Sequence, residues 1–118
     1  MITLVHHLQS DLRDALRSRD RDRIATLRVA LAALANAEAV PIRERDGAIE
    51  QSAVGVGASD VARRVLGPAE QRAILADEVT VMRSSATLYR DRDPQRSASL
   101  LREADALEAY LAQEREDV

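Results

Sequence analysis

Residues 20–39, DRDRIATLRVALAALANAEA, limit more than any other stretch what this chain can fold into. The stretch contains neither Gly nor Pro and is dense in Ala and Leu, the residues that lose least on entering a helix. On a helical wheel Ile24, Leu27, Leu31 and Leu34 fall on one face at steps of three and four, the spacing of an amphipathic helix. Asp20 stands where an N-cap is needed, and Pro41 marks a stop. At ~1.5 Å per residue such a helix runs roughly 30 Å, about the diameter of a small domain. The other helices are expected to pack on it.

The rest of the composition agrees with closely packed helices. The chain has 118 residues, enough for one domain with one modest core. Phe and Trp are absent and Tyr89 and Tyr110 are the only aromatic residues, so the core must be built from Leu, Val, Ile and Ala. The formal charge of −3 gives no overall basic surplus of the kind that backbone-binding nucleic-acid proteins show. All 17 basic residues are Arg, which reads as compositional bias beside abundant Ala, or as forked recognition of phosphate or carboxylate wherever Arg residues cluster. With no Cys, thiolate chemistry and disulfides are excluded. No signal-peptide pattern opens the chain and no run approaches the ~20 apolar residues of a membrane span. The expected location is the cytoplasm, without a membrane partner.

Taken in order, periodicity predicts an all-α fold: a small helical domain of four main helices, with a long C-terminal helical hairpin and an irregular middle. Helix one covers 4–17, capped by Thr3, with Leu4, Val5, Leu8, Leu12, Ala15 and Leu16 on one face. Residues 17–23, RSRDRDR, read either as a solvated turn or as an anion or RNA contact made by Arg17, Arg19, Arg21 and Arg23 near a helix N-terminus. Helix two covers 21–39. Residues 40–67 are irregular, with a turn signal at Asp46-Gly47, a helical turn over 48–52, a short extended piece at Val54–Val56 and a strand or turn over 58–66. Gly55-Val56-Gly57 lacks the rest of any phosphate-loop pattern. Helix three runs over 68–90 from Pro68, with Leu75, Val79, Met82, Ala86 and Tyr89 on one face. Helix four runs over 95–113 after Asp93-Pro94, with Leu100, Ala104, Leu107 and Leu111 in line.

Several charged residues border the apolar faces: Glu38, Glu78 and Glu103, with Arg28 and Arg83. Burying such charges is costly unless they pair. Inter-helix ion pairs between these Glu and Arg residues are expected, and the alternative is a polar site inside the bundle. No Glu-x-x-His accompanies the three Glu, and adjacent His6 and His7 diverge by about 100° on a helix, so no metal and no other cofactor is expected. No Ser stands at a spacing that links it to a base, so no catalytic residue is assigned.

Order and spacing of several segments resemble the GatB/YqeY family. Thr26-Leu27-Arg28, an Ala-rich apolar run, then Asn36-Ala37-Glu38 is similar to that family's most telling helix. Glu78, Arg83 and Tyr89 resemble its E-x4-R followed by Tyr, and Glu103, Leu107, Tyr110 and Leu111 resemble its E-x3-L-x2-Y-L ending. Family members continue past Y-L-P into a second small helical subdomain; here Tyr110-Leu111-Ala112 is followed by an end at Val118, and a YqeY-like helical domain without that subdomain is expected. The resemblance implies a free-standing helical module related to the C-terminal region of the B subunit of the glutamine-dependent aminoacyl-tRNA amidotransferase. It implies tRNA or an amidotransferase component as partner, under the label of a carbon–nitrogen ligase with glutamine as amido donor. The expected role is non-catalytic. The positions Arg28, Asn36, Glu38, Glu78, Arg83, Glu103 and Tyr110 form the candidate inter-helix polar cluster. The rival expectation is a protein-interaction or scaffold domain with a protein partner or a homodimer and no nucleic-acid role.

Overall fold

A computed structural model describes residues 3–39 and 65–116. Within them the regular structure is helical throughout: α1 (Leu4–Ser18), α2 (Arg21–Ala39), α3 (Pro68–Tyr89) and α4 (Pro94–Glu116). The all-α expectation stands, with helix ends that differ by a few residues at most apart from the longer C-terminus of α4. The features expected within 40–64, namely the Pro41 stop, the Asp46-Gly47 turn and the extended pieces, lie outside the described residues. Residues 65–67 lead into α3 without regular structure, and Leu66 is buried in the core.

Local chemistry sets each boundary. The Thr3 hydroxyl accepts from the His6 N–H at 3.2 Å and starts α1. At the other end Arg19 takes a left-handed conformation, φ 58°. Its N–H donates to the Leu16 carbonyl at 3.3 Å, and the Asp20 N–H donates to the Ala15 carbonyl at 3.0 Å. That pair of bonds is the Schellman closure, built here on an Arg where Gly is favoured. Asp20 then caps α2, its Oδ1 accepting from the Arg23 N–H at 3.2 Å. One residue thus closes α1 and opens α2, so the two helices are joined by Arg19 and Asp20 alone.

The α3 start has Pro68 in its first turn, and the Glu70 carboxylate accepts from the Gly67 N–H at 3.1 Å. Asp93 caps α4 through the Arg96 N–H at 3.1 Å. Ser97, buried in the first turn of α4, donates its hydroxyl to the Ala86 carbonyl at 2.7 Å. Ala86 lies among the last four residues of α3, whose carbonyls have run out of helical partners. The side chain of one helix thereby completes the end of the other and sets the angle of the α3–α4 turn.

α1 and α2 form one helical hairpin and α3 and α4 a second; the hairpins pack chiefly through α2 against α3. α2 touches all three other helices, which is the central role its sequence predicted. The core gathers Leu4, Leu8, Leu27, Leu34, Leu75, Val79, Met82, Leu100, Leu107 and Leu111 with Ala15, Ala30, Ala86 and Ala104. Each fully buried Leu contributes about 1.5–3 kcal/mol of burial free energy. The predicted faces hold except at two edges: Leu16 and Tyr89 are each more than two-fifths exposed. Leu16 sits in the last turn of α1 and Tyr89 at the last residue of α3, where the chain turns away from the partner helix.

Candidate functional site: the cleft between α2 and α4

α4 presents three stripes. Leu100, Ala104, Leu107 and Leu111 enter the core. Asp105 and Glu108 face Arg83 of α3, at 3.3 Å each. Ser99, Arg102, Glu103, Ala106 and Tyr110 form the third stripe, and it lines a cleft of about 290 Å³ against α2. From α2 the walls are Asp22, Arg23, Ala25, Thr26 and Leu27, with Asp20 from the turn before it.

The back of this cleft is a cross-helix network. One carboxylate oxygen of Asp11 of α1 accepts from the Tyr110 hydroxyl and forms an ion pair with Arg23 Nη2 at 3.4 Å. His7 stacks edge-on against the Tyr110 ring, centroids 5.4 Å apart. Burial and the hydrogen bond to the Asp11 carboxylate push the Tyr110 phenol up to about 12, against the opposing pull of Arg23. The phenol is therefore a fixed donor at neutral pH, and the Arg23 guanidinium is held from behind.

Elsewhere in the cleft, the Thr26 hydroxyl donates to the Asp22 carbonyl at 3.0 Å, and the Ser99 hydroxyl donates to Glu103 at 3.4 Å. Arg102 and the Asp22 carboxylate make no side-chain hydrogen bond or ion pair among the described residues. A second, more open groove of about 360 Å³ lies between α3 and α4, lined by Ala69, Arg72, Ala73, Ala76, Glu108 and Leu111.

The structure divides the sequence-derived candidates between separate places. Glu103 and Tyr110 share the α2/α4 cleft. Arg83 bridges to Asp105 and Glu108, two acids on α4, rather than to Glu38, Glu78 or Glu103. Arg28 and Asn36 are exposed on α2 and make no bond to other side chains among the described residues, while Glu38 and Glu78 are half-buried. Of the arginines in the α1–α2 turn, Arg17 pairs with Asp14 and Arg23 with Asp11. Arg19 and Arg21 are exposed and have no ion pair among the described residues. An anion approaching the α2 N-terminus would also meet Asp20 and Asp22, which already occupy the positive end of the helix dipole.

Sequence reasoning missed Asp11 as the residue that joins three helices, and Arg102 as a cleft residue. Asp11 carries a signal in retrospect: it is a charge beside Leu8, Leu12 and Ala15, at the edge of the apolar face of α1. Arg102 carries none, because its position depends on where α2 crosses α4. Among the described residues no three His, Cys, Asp or Glu side chains gather to hold a metal ion, and no helix is long and apolar enough to cross a membrane. Compared with protein-family models, with curated proteins and with solved structures, the chain matches none of them.

Proposed function

We propose that this chain is a YqeY-like helical module of the cytoplasm that acts by binding, as a tRNA- or amidotransferase-associated component, and does not itself form the amide bond. One observation carries the binding half of this reading. The strongest polar constellation, Asp11 with Arg23 and Tyr110, is satisfied internally and ties three helices together. A catalytic group needs a reactive lone pair or proton facing substrate; here the phenol proton is committed to a carboxylate. Among the described residues neither His6 nor His7 makes a side-chain hydrogen bond to a hydroxyl; His7 packs on the Tyr110 ring and His6 is exposed. The family half is supported by the order Thr26-Leu27-Arg28, Asn36, Glu38, Glu78, Arg83, Tyr89, Glu103, Tyr110 along successive helices.

For tRNA as partner, Arg19 and Arg21 are the contact residues, because Arg17 is paired with Asp14 and Arg23 lines the α2/α4 cleft. The test is a salt titration of tRNA binding. Affinity should fall steeply with salt, and the Arg19→Gln, Arg21→Gln double variant should lower the slope of log K against log salt by about 2. Affinity no higher than that of an acidic control protein at low salt would remove tRNA from the proposal. A protein partner is the second reading, favoured by Val81 and Leu88, two turns apart on the outer face of α3 and 57% and 77% exposed. A pull-down from native lysate with and without RNase separates the two: RNase-resistant capture of an amidotransferase component supports the protein reading, and RNase-sensitive capture supports tRNA.

A further inference from the structure

The α2/α4 cleft holds more polar chemistry than the packing of two helices requires. Arg23 is anchored by Asp11, so its guanidinium is oriented before anything binds, and most of its five N–H donors lie outside that pair. Arg102 comes from the opposite wall with no ion pair among the described residues. Asp22 and Glu103 supply carboxylates on the two walls. At the floor Thr26 is only 6% exposed; its proton goes to the Asp22 carbonyl, which leaves its oxygen as an acceptor.

The signs of these charges select the ligand. A simple anion entering the cleft meets the carboxylates of Asp20, Asp22 and Glu103, and a simple cation meets the guanidiniums of Arg23 and Arg102. A molecule that carries both charges a few ångströms apart satisfies both sets. The space, about 290 Å³, is at the small end of ligand sites. Its remaining walls, Ala25, Leu27 and Ala106, are apolar.

We propose that this cleft binds a small zwitterion: a free α-amino acid with an aliphatic side chain. Its carboxylate is received by Arg23 and Arg102, its ammonium by Asp22, Glu103 and the Thr26 oxygen, and its side chain by Leu27 and Ala106. Forked guanidinium recognition supplies the orientation, and the fixed Arg23 lowers the ordering cost of binding. The inference rests on the reading of the chain as a binding module, but on no macromolecular partner.

The test is an amide-resonance titration of the isotope-labelled full chain with three probes: leucine, N-acetylleucine and leucinamide. Leucine should give saturable shifts confined to residues 20–27 and 99–110. Each capped probe, lacking one charge, should bind at least about tenfold more weakly. Arg102→Gln and Glu103→Gln should each weaken leucine by a similar factor and leave the rest of the spectrum unchanged, since neither side chain holds the core. Absence of saturable shifts with leucine at millimolar concentration overturns the proposal. So does equal binding of N-acetylleucine or leucinamide, which describes a plain ion site, or leucine binding that both variants leave intact. Because no nucleic acid or protein partner is in the sample, failure here is separate from failure of the tRNA titration.

Discussion

Tyr110 shows how one side chain in an aromatic-poor chain takes on several roles. Its ring packs against His7, its hydroxyl reaches across to α1, and its edge lines the cleft. Tyr110→Phe keeps the ring and removes the donor, leaving Asp11 with Arg23 alone. The expected loss is about 1–2 kcal/mol of stability, within the range for hydrogen bonds to charged groups and scaled for a half-buried site; chemical denaturation measures it. The pH dependence follows from the same bond. The folded phenol titrates at about 12 against 10.0 for an ordinary one, so the folded state keeps a proton that the unfolded chain gives up. This contribution to stability is fully present below pH 10.0 and is lost as pH rises through about 12. Denaturation midpoints measured between those limits should fall for the parent protein and less for the Phe variant. A fall of the same size in both would place the alkaline sensitivity elsewhere.

At the scale of helices, the turn chemistry was written in the chain almost residue by residue. Thr3, Asp20, Pro68 and Asp93-Pro94 are start signals whose mechanism is local, so they could be read without knowing the neighbours. The apolar stripes of α1 to α4 were legible for the same reason: the period of the pattern is the period of the helix. What could not be read is which stripe of α4 meets which helix. Arg83 was expected to find a Glu among the acids bordering the apolar faces. It finds Asp105 and Glu108 instead, because α3 and α4 lie side by side as an antiparallel hairpin and those two acids sit directly across from it. The cleft escaped sequence reading in the same way, since it exists only where α2 crosses α4. The one local surprise is Arg19, the only non-Gly residue with positive φ among those described. A left-handed L-residue costs roughly 1–2 kcal/mol, which Gly avoids at some cost in unfolded-state entropy. Arg19→Gly is therefore expected to stabilise the chain by about 0.5–1 kcal/mol, seen as a raised melting temperature. A lowered one would show that the Arg side chain contributes more than its backbone costs.

For the molecule as a whole, stability rests on the aliphatic core rather than on its many charges. The Arg83 pairs are exposed and worth ~0–1 kcal/mol each, whereas Leu107 is fully buried between the helices. Leu107→Ala should cost about 3–4 kcal/mol through lost burial and the cavity left behind, a large part of the stability of so small a domain. Urea denaturation that shows a loss below about 1 kcal/mol would mean the helices close up around the missing side chain. The short link between α1 and α2 carries a different kind of consequence, one of length rather than of side chains. Arg23 meets Asp11 only because two residues separate the helices, and adding or deleting one there turns α2 by about 100° on its axis. Such a change would carry Arg23, Thr26 and Leu27 off their present neighbours together. In related chains this joint should therefore tolerate a change of residue at position 19 far better than any indel, so that its length records descent.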